Sequence, residues 1–222
     1  KGLLPARALR RDVAPDEAHA DGPAFEAVVG QEAAHAVGPE ASLHRLETVY
    51  RRITESLRTS SMPASAFRPI LDSWLFTLES DAVAADPSLE YANEASITTA
   101  VESLLERRLA SVSSRTPVFA QALRGYRTAV ISGDGATADG LATWMGGQPH
   151  VAAAAKRAAG IRGELDHFGA MGFLQGLLAV LRDAGHPGLV LIRDEVETLQ
   201  RVRGDVRDKA FNALRQLIDE VD

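Results

Sequence analysis

Residues Gly188 to Glu195 read Gly-Leu-Val-Leu-Ile-Arg-Asp-Glu, a short apolar run that stops abruptly at two adjacent carboxylates. A run of β-formers this short, entered through the turn Ala184-Gly185-His186-Pro187-Gly188, reads as a parallel strand buried among helices. Such a strand tolerates charge only at its carboxyl end, which is also where open α/β sheets bind their ligands. The fold class that follows is α/β and helix-rich, with Asp194 and Glu195 at the ligand-binding end of the strand. Arg193 stands where a buried strand would carry an aliphatic residue. Its stem can snorkel while its head pairs with Asp194, Glu195 or Glu197, in competition with any cation bound there.

The remaining pattern is mostly helical. Lys1 to about Pro23 joins an Arg-rich helix candidate, Ala6 to Arg11, to a stretch holding Pro15, Asp16, Asp21, Gly22 and Pro23, so residues 1–24 read as an arm or linker. Phe25 to Val29 is a β-run, and Ala34 to Val37 is a weaker one ending at Gly38-Pro39. Ser42 is placed to cap a helix from Leu43 to Arg58, with Leu43, Leu46, Val49, Tyr50, Ile53 and Leu57 at three- and four-residue spacing. Further helices are expected over Phe67 to Ser80, Ala95 to Leu109, and from Pro117 through Ala129. Turns fall at Ser132-Gly133-Asp134-Gly135 and Gly146-Gly147-Gln148-Pro149, on either side of a helix bearing Trp144. The longest apolar helix expected runs from Glu164 to Leu181, with Phe168, Leu174, Leu177 and Leu181 inward and Gly169, Gly172 and Gly176 as a small-residue face for close packing. A last helix, capped by Asp205, extends to about Glu220 with Ala210, Phe211, Leu214, Leu217 and Ile218 inward. No internal repeat is apparent.

Composition removes several classes of function. A chain of 222 residues can bury a substantial core. His167, Gln175 and Arg182 interrupt its most apolar stretch well short of the roughly 18 uninterrupted residues of a membrane span. Without cysteine there is no disulfide, thiolate metal site or thiol nucleophile, as suits a reducing cytoplasm. The net charge of −6 opposes a broad grip on nucleic acid, and Lys1, Lys156 and Lys209 are the only lysines, a skew that reads as genomic base composition. Lys1 is not an initiator Met and no signal peptide follows it, so the chain is expected to be a piece of something longer.

The carboxylate pair is the chemistry-bearing feature. A strand ending in two acids has the form of a Walker B motif, in which the first, Asp194, holds Mg²⁺ through water and the second, Glu195, polarises the water that attacks a γ-phosphate. Alternatively, the strand ends in acids because it has reached solvent. Hydrolysis also needs a phosphate cradle, Gly-x-x-x-x-Gly-Lys-Ser/Thr, which this chain lacks. Arg201, Arg203 and Arg207 could serve as an arginine finger or contact nucleic acid, or else form a solvated helix start paired with Asp205 and Asp208. Arg51-Arg52, Arg107-Arg108 and Lys156-Arg157 read as solvated faces. No two of the six histidines have the i, i+4 spacing of a helical metal site, and no local nucleophile signature is present.

The segments Gly185 to Arg201 and Asp208 to Asp219 resemble the Walker B region of the BrxD-type P-loop ATPases of bacteriophage-exclusion (BREX) and related defence systems. Gly38 to Ile53 is similar to the helix after that family's second core strand, and Ala159 to Leu165, Phe173 to Leu178 and Ala8 to Pro15 extend the likeness. The resemblance implies an AAA-like P-loop NTPase domain over residues 25–222 with a mostly helical insertion at about 60–160, and ATP and Mg²⁺ as ligands. It also implies antiviral work in the cytoplasm beside a helicase-like partner. Carried onto matching positions, Asp194 is the Mg²⁺-associated acid and Glu195 the catalytic one. In the family the Gly-Lys-Ser/Thr loop precedes the segment matching Ala34 to Val37, whereas here Gln31-Glu32-Ala33 runs almost directly into it. The domain is thus expected to be incomplete, lacking a strand, P-loop and helix of about 40–80 residues near positions 30 to 36. The rival reading is a non-catalytic scaffold, a degenerate NTPase whose helices from about Leu43 to Leu181 bind partner proteins; a homo-oligomer is compatible with either reading. A nucleic-acid-binding subunit using the three downstream arginines is a third, and it would show steeply salt-dependent DNA binding.

Overall fold

A computed structural model of the chain describes residues 25–29, 45–59, 62–91, 93–193 and 204–219. Among the described residues three strands form one sheet in the order β2-β1-β3. Strand β1 (Phe25–Val29) is central, pairing antiparallel with β2 (Leu57–Arg58) and parallel with β3 (Leu189–Arg193). Among the described residues the helices are α1 (Leu46–Ser56), α2 (Phe67–Ala85), α3 (Glu94–Arg115), α4 (Pro117–Ile131), α5 (Gly135–Met145), α6 (Ala153–Ala158), α7 (Gly169–Asp183) and α8 (Gly204–Asp219). All but α8 lie between β1 and β3, so the crossover joining the two parallel strands carries most of the core.

Helix limits differ from the expected ones where a side chain or proline competes with the backbone ladder. Helix α1 stops at Ser56, and Leu57 and Arg58, expected to be helical, are extended instead, with Leu57 buried and Arg58 exposed in the two-residue alternation of a strand. The Leu46 N–H at the start of α1 donates to His167 Nδ1 at 3.3 Å, so a distant histidine satisfies a donor of the first turn. The expected cap Ser42, the strand Ala34 to Val37 and the arm lie outside the described residues. Helices α2 and α3 outrun their expected ends and stop two residues before Pro87 and Pro117, because a residue preceding proline is disfavoured in helical geometry. Helix α7 begins at Gly169, five residues later than the apolar spacing suggested. Asp166 Oδ1 accepts the Gly169 N–H at 2.8 Å, a local bond that competes with helix, and Phe168, expected inward, is 90% exposed. In α8, Asp205 sits within the first turn and not at the cap. Ala210 and Ala213 face inward, whereas Phe211, about 100° further round the helix, is exposed. The side chains of Leu214, Leu217 and Ile218 lie outside the described residues.

The turn at Ser132-Gly133-Asp134-Gly135 forms as expected, with Gly133 at φ +71°. Asp134 Oδ1 accepts the Thr137 N–H at 3.0 Å and caps α5; hydrogen bonding from the Thr137 side chain first, and then from that N–H, holds the Asp134 carboxyl below its usual range.

Phe173 on α7 is the hub of the core. It meets Phe119 of α4, Trp144 of α5 and Tyr50 of α1 edge to face, with centroids 5.1, 5.2 and 5.8 Å away. Tyr50 Oη donates to the Met145 carbonyl at 2.7 Å, Thr54 Oγ1 to the Gly146 carbonyl at 2.7 Å and Trp144 Nε1 to the Gly163 carbonyl at 3.2 Å, so these buried polar groups are matched. Burial pushes the Tyr50 phenol well above its ordinary range and keeps it neutral. Arg108, read from sequence as part of a solvated face, is tied down instead. It bridges Asp81 and Asp183, and Asp183 also accepts the Trp74 Nε1–H at 2.5 Å, which joins α2, α3 and α7.

The small-residue face of α7 does pack closely, against the start of α4. A Cβ on Gly172 would fall 2.4 Å from Thr116 Oγ1, and one on Gly176 would fall 2.6 to 3.0 Å from the Phe119 ring. Alanine in a helix gains up to about 1 kcal/mol over glycine. Phe119 is fully buried and cannot retreat, so overpacking of about 1–3 kcal/mol outweighs that gain. Gly176→Ala is expected to lower the urea midpoint, whereas Gly135→Ala, where a Cβ meets nothing within 4 Å, is expected to leave it unchanged or raise it.

Candidate functional site

Strands β1 and β3 run parallel in full register, from Phe25 opposite Leu189 to Val29 opposite Arg193. Their carboxyl ends therefore coincide. The positions that follow directly in sequence are Gly30-Gln31-Glu32 after one strand and Asp194-Glu195 after the other. The strand expected at Leu189 to Arg193 is present, but it is less covered than anticipated. Val190 and Leu191, on opposite faces, are 50% and 37% exposed, because among the described residues β3 is the outer strand with one neighbour.

Asp194, Glu195, Arg201 and Arg203 lie outside the described residues, as do Gln31 to Ala34, where a P-loop segment would insert. Arg207 lies near the start of α8 with its Nε 4.0 Å from Asp208 Oδ1, a long contact between exposed groups.

Two concavities were not anticipated from the sequence. One, of about 450 Å³, opens where the α3–α4 junction, α7 and β3 meet; Leu189 and Leu191 line it together with Arg115 and Arg182. The other, of about 310 Å³, lies among the end of α1 and parts of α2 and α5. Beside it Arg68 bridges Asp72 and Asp139 and lies 5.1 Å over the Tyr126 ring, whose hydroxyl donates to Asp72. Burial first, and then that bond, raise the Tyr126 phenol far above its ordinary range. The i, i+4 spacing of Arg68 and Asp72 was visible in sequence; Asp139 and Tyr126 join them only through packing. Among the described residues no group of three or more His, Asp or Glu could hold a metal, and no helix is long and apolar enough to cross a membrane.

The fold and strand ends define a helix-rich α/β protein in which an acidic pair directly follows the outer of two parallel strands. The sequence model of the family described as BREX system ATP-binding protein BrxC/D matches residues 26–222, and the chain belongs to that family. No curated protein and no solved structure matches it.

Proposed function

We propose that the chain is the greater part of a P-loop ATPase domain that serves phage defence by binding and turning over ATP where β1 and β3 end together. The observation that carries this reading is the parallel register pairing Val29 with Arg193, because a ligand of an open α/β sheet sits beyond the carboxyl ends of such strands. The donor chemistry fits as well. Asp194 and Glu195 follow β3 directly, and carboxylates are the oxygen donors that a hard cation takes. In this reading Asp194 orients the waters around Mg²⁺, which would supply charge neutralisation to the phosphates, and Glu195 accepts a hydrogen bond from the attacking water. The 222 residues hold no Gly-x-x-x-x-Gly-Lys-Ser/Thr cradle, so this chain alone is expected to bind nucleotide weakly. The wider setting is a cytoplasmic assembly with other proteins of the defence system, a helicase-like one among them.

The test is nucleotide binding with and without Mg²⁺, on the whole gene product and on this chain side by side. Asp194→Asn in the whole product is expected to weaken Mg²⁺-dependent binding by about tenfold or more, the loss of one charge-assisted contact. Binding that is indifferent to Mg²⁺ and to Asp194 would overturn the assignment. A scaffold is the second reading, favoured by the one continuous core to which α1 to α5, α7 and α8 contribute. It requires no nucleotide dependence in either protein.

A further inference from the structure

The 450 Å³ cleft lies apart from the proposed nucleotide end, because it includes Pro187 and Gly188 at the amino end of β3. Its wall is apolar, with Val112, Leu178, Leu181, Leu189 and Leu191. Its cations are Arg115 in the last turn of α3 and Arg182 in the last turn of α7, both exposed and neither with an acidic partner among the described residues. An open apolar hollow with two guanidinium groups that no acid compensates among the described residues calls for an apolar group carrying carboxylate. Nucleic acid fits it poorly, because phosphate tracking needs a run of cations and the chain carries −6 overall.

The same chain displays that complementary feature on the outer face of α2. The inward stripe of α2 is Phe67, Ile70, Leu71, Trp74, Leu78 and Ala82, and Phe76 lies opposite it, 71% exposed. Glu79 follows one turn later on the same outer face, exposed and with no cationic partner among the described residues. Asp72, the acid one turn before Phe76, is already bound by Arg68 and Tyr126, which leaves Glu79 as the available charge. A large aromatic beside an unpaired carboxylate matches an apolar hollow beside unpaired arginines, and aromatic anchors in such pockets carry most of an interface's energy.

We propose that the cleft receives the outer face of α2 from a second copy of the chain, with Phe76 against Leu189 and Leu191 and Glu79 facing Arg115 and Arg182. Each copy then offers one knob and one hole on different surfaces. The contact is heterologous, so association continues beyond two copies until a ring closes or a filament grows. The inference does not depend on the nucleotide reading.

The experiment is sedimentation equilibrium on the full 222-residue chain over a wide concentration range, with two double variants. Phe76→Ala with Glu79→Gln removes the knob, and Arg115→Glu with Arg182→Glu removes the hole; all four residues are exposed, and far-ultraviolet circular dichroism checks the fold of each variant. The wild type is expected to gain mass with concentration, and each variant to associate at least about tenfold more weakly. An equimolar mixture of the two variants is expected to form a one-to-one dimer and nothing larger, since only one knob and one hole remain compatible. That result also excludes misfolding as the cause of the single losses. A wild type that stays monomeric, association indifferent to both variants, or a mixture that fails to pair while both variants keep native spectra would overturn the proposal. So would a monomeric chain whose cleft binds an acidic peptide of another protein.

Discussion

Phe173→Ala is expected to destabilise the fold by about 3–5 kcal/mol, the range for removing a buried aromatic ring from a packed core. The position is unusual in serving three edge-to-face partners from three other helices, Tyr50, Phe119 and Trp144, so one truncation loosens α1, α4 and α5 together against α7. Phe119 in turn presses on Gly176, and the void would relieve that contact without replacing it. In a chain of this size the melting temperature should fall by roughly 10 °C. Urea unfolding followed by tryptophan emission measures the change, because Trp144 is part of the cluster. A loss below about 1 kcal/mol would mean that the surrounding helices collapse freely and the ring is not a hub.

Glu195→Gln is expected to reduce ATP turnover of the whole gene product by about 10²–10⁴-fold while nucleotide stays bound, the usual span for removing a group that accepts a proton or orients a nucleophile. Glutamine keeps the size and one acceptor oxygen but not the charge, so ground-state binding should change little and the loss should fall on kcat. Single-turnover hydrolysis beside equilibrium nucleotide binding separates the two. Equal turnover in both proteins would leave the acidic strand end without a catalytic role, and a scaffold would be the better description.

Local pattern carried much of the architecture. The apolar run at Leu189 to Arg193 and the β-run at Phe25 to Val29 are strands, and the stripe Leu46, Tyr50 and Ile53 faces the core. Pro117 opens a helix, Ser132-Gly133-Asp134-Gly135 is a turn, and Gly172 and Gly176 mark a close contact. The resemblance to the BREX ATP-binding family rested on quoted segments across the same chain, and the family match spans residues 26–222. The sequence also named Asp194 and Glu195 as the candidate acids through strand length and charge position.

Contacts between distant residues were decided elsewhere. Spacing has no information on which strand lies next to which, so the pairing of Val29 with Arg193 appears only once seven helices have folded between β1 and β3. Arg108 looks solvated in a one-dimensional pattern because its partners, Asp81 and Asp183, are on other helices. Phe168 and Phe211 look inward by periodicity yet are exposed. For Phe168 the Asp166 bond to the Gly169 N–H delays the helix, and α8 packs through two alanines in place of Phe211. Sequence alone determined strands β1 and β3, most helix interiors and the acids worth testing, because these depend on neighbours within a few residues. Tertiary structure decided the strand order, the aromatic hub and the arginine-flanked cleft, because each is made by groups that meet only after the chain has paid the entropy of bringing them together.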